Sequence, residues 1–222
     1  MSESAQELQK IYRQRFNRTS AYRNRVWQVL TRTFFNRWIS PEAVVLDLGC
    51  GYGEFINNLA AGQKFAMDLN PDAPQHLAPG VQFFQQDCAA TWPLPENTLD
   101  AVFTSNFFEH LPDKECLKRT LRQAFRCLKP GGRLIAMGPN IKYLPGQYWD
   151  FFDHHTILTE ASLGEVLEME GYELQQVTPR FLPYTLVNAR EYPLVLLRVY
   201  LALPGLWWLK GRQFLVVAVK PS

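Results

Sequence analysis

The sequence predicts an α/β fold: a doubly wound, seven-stranded and mostly parallel sheet with an antiparallel last strand. Helices are expected at the N-terminus, with a helical insertion between the last two strands. Short apolar runs alternate with helical patterns, as in a sheet covered on both faces. A glycine-rich turn follows the first of those runs directly. The chain has 222 residues, 47% hydrophobic and 20% charged, which suits a single domain over 1–222 with a full core. That composition excludes disordered and fibrous chains. Fifteen prolines and thirteen glycines without a period exclude collagen-like repeats.

The elements follow in order. Leu8, Ile11, Tyr12 and Phe16 fall at helical spacing and predict a helix over 3–17. Val26, Val29, Leu30, Thr33 and Phe34 predict another over 21–39, with a break at Asn17–Ser20 and Ser20 as its N-cap. This arm, 1–40, closes at Pro41, and a core of 41–181 follows. Its apolar runs at 44–48, 64–68, 81–84, 99–103 and 133–137 predict five strands. Helices fit over 53–61 and 113–128, with a short irregular one near 72–78. Lys129-Pro130-Gly131-Gly132 is the turn that launches the fifth strand. A helix over 162–171 starts from Thr159 and stops at Gly171, and strands over 172–178 and 213–220 close the sheet. Between them lies the insertion, 182–212. Ligands of such sheets bind at the carboxyl ends of the strands, so chemistry is expected just after Leu48, Met67, Phe84, Phe103 and Met137.

Charge is uneven. Residues 1–40 hold eight cations against two acids, a net of +6, and with +2 for the whole chain the remainder carries −4. The four cysteines form no C-x-x-C pair and no disulfide-like pattern. With no secretory leader read at the start, a reduced, cytoplasmic setting is expected. The longest apolar stretch, Leu194 to Leu209, is broken by Arg198 and Pro204-Gly205, which argues against a transmembrane helix.

The first strand runs into Asp47-Leu48-Gly49-Cys50-Gly51-Tyr52-Gly53. Alternate glycines permit a tight turn and close approach of a ligand to backbone. Asp68, nineteen residues past Gly49 at the end of the second strand, suits a ribose diol, and Asp87 after the third strand suits an adenine amino group. Dinucleotide binders use G-x-G-x-x-G to rest a pyrophosphate on a helix N-terminus. Here the spacing is G-x-G-x-G, and Asp47 would repel a pyrophosphate but orient an amine. An adenosine ligand with a cationic amine fits better, and S-adenosylmethionine is that ligand.

VVLDLGCGYGEF, FAMDLNP, QQDCAATWPLP, LDAVFTSNFFEHL and LKPGGRLIAMGPN together resemble the class I S-adenosylmethionine-dependent methyltransferases, over roughly residues 43–180. The resemblance implies a Rossmann-like core with S-adenosylmethionine as cofactor. It puts Asp47, Gly49, Gly51 and Gly53 under the methionine part, Asp68 on the ribose and Leu69 beside the adenine. Asp87 and Cys88 match the adenine-edge pair, and Asn106 opens the motif flanking the methyl group. An N-terminal helix closes over the cofactor in many relatives, where Tyr12, Tyr22 and Arg25 are candidates, Arg25 on the methionine carboxylate.

A sulfonium methyl needs no activation. The protein must position it, exclude water and, for an oxygen or nitrogen acceptor, remove a proton. Candidate bases follow strands four and five: Glu109-His110, then Tyr143, Tyr148, Trp149, Asp150, Asp153, His154 and His155. His154 and His155 are preferred as catalytic, since imidazole titrates near neutrality, with Asp150 or Asp153 fixing the tautomer. The competing reading is that these histidines pin a loop through backbone hydrogen bonds. His110 is read as structural. No metal is expected, because Asp150, Asp153, His154 and His155 lack a repeating ligand spacing.

Ser105-Asn106-Phe107-Phe108 replaces the Asn/Asp-Pro-Pro-aromatic stretch of nucleic-acid amino-methylating relatives, and no Pro-Cys nucleophile is present, so nucleic acid is disfavoured. In the insertion, Trp207-Trp208 beside Lys210 and Arg212 resembles an interfacial anchor, giving peripheral membrane contact through 183–210. Packing on the sheet or on a second subunit is the plainer alternative. The expected function is methyl transfer to a small-molecule or lipid-linked acceptor at oxygen, by resemblance to the small-molecule and quinone O-methyltransferase-like branch. An NAD(P)-dependent oxidoreductase, disfavoured by the loop spacing, and a cofactor-binding membrane-surface protein without turnover are the alternatives.

Overall fold

The computed structural model describes residues 20–184 and 191–222. The helix expected over 3–17, with Tyr12, lies outside the described residues. The helices and strands run α1 (Ser20–Thr33), β1 (Val44–Leu48), α2 (Glu54–Asn58), β2 (Gln63–Asp68), β3 (Val81–Gln85), β4 (Leu99–Ser105), α3 (Lys114–Cys127), β5 (Leu128–Pro139), α4 (Glu160–Met169), β6 (Glu173–Thr178), α5 (Leu194–Ala202), α6 (Pro204–Lys210) and β7 (Gln213–Val219). The seven-stranded sheet has the order β3-β2-β1-β4-β5-β7-β6. β7 is antiparallel to both β5 and β6, and the other pairings described are parallel. The doubly wound, mostly parallel sheet with an antiparallel last strand is therefore present.

Two compact units divide the described residues: 20–87 with 191–203, and 88–184 with 204–222. In the first unit, Val45, Leu46, Leu48, Phe65, Ala66 and Met67 are almost fully buried, so β1 and β2 read as continuous apolar runs rather than alternating ones. Only the alternation of β3 is loose, as its residues are half-buried or exposed. α1 buries Val29 and Leu30, and Trp27 packs on Phe35 and edge-on to Phe55. The Thr31 hydroxyl donates to the Trp27 carbonyl and lies 3.1 Å from the Asn58 carbonyl, tying α1 to the end of α2. The helix expected over 21–39 ends at Thr33 and continues as a single 3-10 turn, Phe35–Arg37. α2 is shorter than the expected 53–61, because Leu59 turns extended (φ −80°, ψ 135°).

In the second unit, α3 is capped by Asp113, whose carboxylate accepts from the Cys116 amide at 2.7 Å. α4 carries a reciprocal cap: the Ser162 amide donates to Thr159 Oγ1 at 3.0 Å and the Thr159 amide to Ser162 Oγ at 2.9 Å. β5 begins five residues before the expected 133, at Leu128. The turn residues are drawn into the ladder by the chain end: Gly131 N–H donates to the Lys220 carbonyl and Lys220 N–H to that of Gly132. All four cysteines are buried thiols.

The described part of the insertion is helical. In the first unit, α5 exposes Val195, Leu196 and Val199. In the second, α6 divides the two tryptophans: Trp207 packs edge-on to Phe181 at 5.2 Å and is 8% exposed, whereas Trp208 is 72% exposed. Among the described residues no helix is long and apolar enough to cross a membrane.

Candidate active site

β1 delivers Asp47 and Leu48 to the start of the glycine loop. The loop folds back because the Gly49 and Cys50 amides both donate to the Met67 carbonyl, at 2.9 and 3.1 Å. Gly49, Gly51 and Gly53 all have left-handed φ, +69°, +56° and +73°. A side chain at Gly53 would also put its Cβ 2.5 Å from Leu77. The sequence therefore requires glycine here for conformation and for space.

At the end of β2, Asp68 is 8% exposed. Its Oδ2 accepts from the Gly51 amide and its Oδ1 from the Asn70 amide, both at 2.8 Å. A carboxylate oriented in this way presents acceptors of the kind that vicinal hydroxyls need. Asp47 is 3% exposed, and its Oδ2 has no hydrogen-bond partner among the described residues. Burial pushes the Asp47 carboxyl well above the usual carboxylate range, and Glu54 and then Asp68 add to the rise. A buried acid with an open oxygen fits a cationic ammonium, which would be its missing partner. Leu69 is half-buried, its carbonyl 3.4 Å from Gln85 Nε2, and Asp87 is exposed. Tyr52 stacks on His76 with ring centroids 3.9 Å apart, a pairing the sequence did not signal.

Arg25 pairs with Glu191 at 3.4 Å, and the Tyr22 hydroxyl bonds the Tyr192 backbone. These contacts tie α1 to the segment leading into α5.

In the second unit, Cys88 is buried; its thiol accepts from the Thr120 hydroxyl at 3.2 Å and its carbonyl from Trp92 Nε1 at 2.8 Å. Asn106, at the end of β4, is exposed and has φ +50°, held by its amide to the Met137 carbonyl at 2.9 Å. Asparagine tolerates this left-handed geometry better than most residues, and such strain gathers at functional turns.

Directly after Asn106, a 3-10 turn, Phe108–His110, carries Glu109 and His110. A later loop is fastened to it: the Glu109 carbonyl accepts from the His155 and Thr156 amides at 2.8 and 3.1 Å. The Thr156 hydroxyl donates to the Leu111 carbonyl at 2.7 Å, and the Tyr148 hydroxyl to the Thr156 carbonyl at 2.5 Å. His154 is thereby buried, stacked on Phe151 and edge-on to Tyr148 and His110. His155 points its ring to the surface. The two preferred histidines thus occupy different environments, because neighbouring residues on an extended loop face opposite ways.

Asp153 binds His110, whose Nδ1 lies 3.0 Å from the Asp153 carbonyl and 3.1 Å from its carboxylate. Asp150 is exposed. Burial alone would lower the His110 pKa, but the Asp153 hydrogen bond and the nearby Glu109 outweigh it and leave the imidazole raised. Glu109 is 3% exposed, and burial pushes its carboxyl up to about 7, with His110 opposing and Asp153 reinforcing. Glu109 and His110 were expected only as candidates after strand four, with His110 read as structural. The signal that both belong with His154 is the pair of short polar clusters, Glu-His after β4 and Asp-His-His after β5.

Residues 13–177 match the family described as a methyltransferase domain. The chain belongs to that methyltransferase-domain family. The methyltransferase domain is 26% identical over 160 residues to 2-methyl-6-phytyl-1,4-hydroquinone methyltransferase of Synechocystis, covering 63% of this chain and 49% of that one. It is 32% identical over 115 residues to sarcosine/dimethylglycine N-methyltransferase of Halorhodospira halochloris, covering 47% and 40%. The chain spans about half the length of the curated relatives it matches. Among solved structures, a SAM-dependent methyltransferase from Archaeoglobus fulgidus superposes with a TM-score of 0.66 at 21% identity, over 89% of this chain and 94% of that one. At that identity the likeness bears on the fold.

Proposed function

We propose that this chain is an S-adenosylmethionine-dependent methyltransferase, acting as one domain over 1–222, that methylates a small-molecule or lipid-linked acceptor at oxygen. The observation that carries the reading is the pairing of two acids around the glycine loop: Asp47, buried with an open oxygen, and Asp68, clamped by the Gly51 and Asn70 amides. A pyrophosphate gains nothing from two carboxylates, which is why a nucleotide-dependent oxidoreductase is not favoured.

When bound, S-adenosylmethionine supplies a methyl group already electrophilic on its sulfonium. Asp47 would hold the ammonium, Gly49, Gly51 and Gly53 would admit the methionine part against the backbone, and Asp68 would accept from the ribose hydroxyls. Leu69, Asp87 and Cys88 border the adenine, and Asn106 flanks the transferred methyl. Methyl transfer to an acceptor hydroxyl would require that hydroxyl to lose its proton. His154 is assigned to this deprotonation, and His155, exposed beside it, passes the proton to solvent.

The hydroquinone relative supports an apolar ring acceptor, and the sarcosine relative supports an amine. Oxygen is preferred because the buried histidine cluster suits a group that must lose a proton at neutral pH. Peripheral contact with an anionic leaflet is supported by the exposed apolar residues of α5 and, in the other unit, by Trp208 beside Lys210 and Arg212. Four buried free thiols suit work in the cytoplasm. The test is incubation of the purified chain with methyl-labelled S-adenosylmethionine and a cell extract, followed by partition. Label in the organic phase supports a lipid-linked acceptor and label in the aqueous phase a small metabolite. Acid-precipitable label would overturn both.

A further inference from the structure

We propose that Glu109, His110 and His154 form a binding site for a divalent first-row metal ion of the zinc or manganese class. One ligand atom from each residue lies within 4.8 Å of those of the other two. Two ligands come from the single turn after β4, and the third comes from a loop whose backbone is pinned to that turn through the Glu109 carbonyl. The position of His154 relative to Glu109 and His110 is therefore set by main-chain hydrogen bonds as well as by side-chain packing.

Two imidazoles and one carboxylate are the ligand set that suits zinc, manganese or ferrous iron, whereas magnesium and calcium prefer oxygen throughout. Three protein ligands leave at least one coordination position for a substrate oxygen, the feature that separates catalytic from structural sites. The surroundings are those a metal site requires. His110 Nδ1 faces both the carbonyl and the carboxylate of Asp153, which fixes the tautomer and leaves the Nε2 lone pair for an ion. Phe151 and Tyr148 wall the His154 ring and keep the site in an apolar shell. The arrangement was hidden in the sequence because the ligands are not Asp150, Asp153, His154 and His155 taken together; Asp153 serves behind His110 instead.

The use of such an ion deepens the methyl-transfer reading and rests on it: bound to the acceptor oxygen, it lowers the hydroxyl pKa, His154 becomes a ligand, and the proton leaves through His155 to water. The binding itself does not depend on that reading.

The experiment uses the full chain, stripped with a chelator and titrated with Zn²⁺ by calorimetry and with Co²⁺ by visible absorption. Saturation at one equivalent is expected, with Co²⁺ bands typical of mixed nitrogen and oxygen ligands. His154→Asn and Glu109→Gln should each weaken binding by more than tenfold, and Asp153→Asn by about tenfold, with circular dichroism and S-adenosylmethionine affinity unchanged. No saturable binding by the folded chain would overturn the site. So would one equivalent retained in both His154→Asn and Glu109→Gln, or lost instead in Cys116→Ser, whose thiol lies near that of Cys88. Metal binding without S-adenosylmethionine binding would support the site and sink the methyl-transfer reading.

Discussion

The Gly51 amide donates a 2.8 Å hydrogen bond to Oδ2 of Asp68. The glycine loop after β1 and the acid ending β2 therefore hold each other in place, and the carboxylate reaches a ligand already oriented. Gly51 does this at φ +56°, where any other L-residue is strained. Gly51→Ala should cost roughly 1–2 kcal/mol of stability and also weaken S-adenosylmethionine binding. Denaturant titration and calorimetry on the same preparation check both. Unchanged cofactor affinity in a destabilised Gly51→Ala would separate loop geometry from binding.

Asp47 gives a pH dependence of defined sign. Its folded carboxyl is raised above the ordinary range, chiefly by burial, so between its ordinary and raised values the folded chain binds more protons than the unfolded one. The protein without cofactor should lose stability as pH rises through that window, and Asp47→Asn should reduce this loss to the part that the raised Glu109 carboxyl contributes. The same variant should bind S-adenosylmethionine about tenfold or more weakly, since a charged hydrogen bond to the ammonium is removed. Melting curves between acid and mildly alkaline pH, with and without cofactor, test the opposition.

Tyr148→Phe removes one hydroxyl and leaves the buried Thr156 carbonyl without its 2.5 Å partner. A loss of about 1–3 kcal/mol is expected. Because that loop presents His154, turnover should fall more than S-adenosylmethionine affinity. Equal falls in both would show that the loop serves the cofactor instead.

Trp207 and Trp208 should behave oppositely. Trp207→Ala, which empties the space against Phe181, should cost about 3 kcal/mol or more. Trp208→Ala should change stability by less than about 0.5 kcal/mol, since its ring lies mostly in solvent. If the exposed ring anchors the chain, only Trp208→Ala should reduce sedimentation with anionic liposomes while the protein stays folded.

Much of the fold was legible because its signals are local. β1 lies at the residues its apolar run predicts, and α4 starts from Thr159 as expected, its first residue, Glu160, two ahead of the predicted 162. β5 was less so, since its first residues enter the ladder only through hydrogen bonds with the chain end at Lys220. The glycine loop and its acids were readable for the same local reason, as motif and strand end coincide. The histidine cluster was not. Adjacency in sequence suggested His154 with His155, but His110, edge-on to His154, comes from a turn more than forty residues earlier, brought there by the returning loop whose amides bond the Glu109 carbonyl. The different surroundings of Trp207 and Trp208 were likewise not legible, as one helical step separates core from solvent.

Titration of the purified chain with S-adenosylmethionine tests the central claim most directly. The account predicts saturable one-to-one binding that S-adenosylhomocysteine competes away, that NAD leaves untouched, and that Asp68→Ala weakens by at least about tenfold, given two hydrogen bonds to a charged acceptor. Absence of saturation by the folded chain, or displacement by NAD, would contradict it.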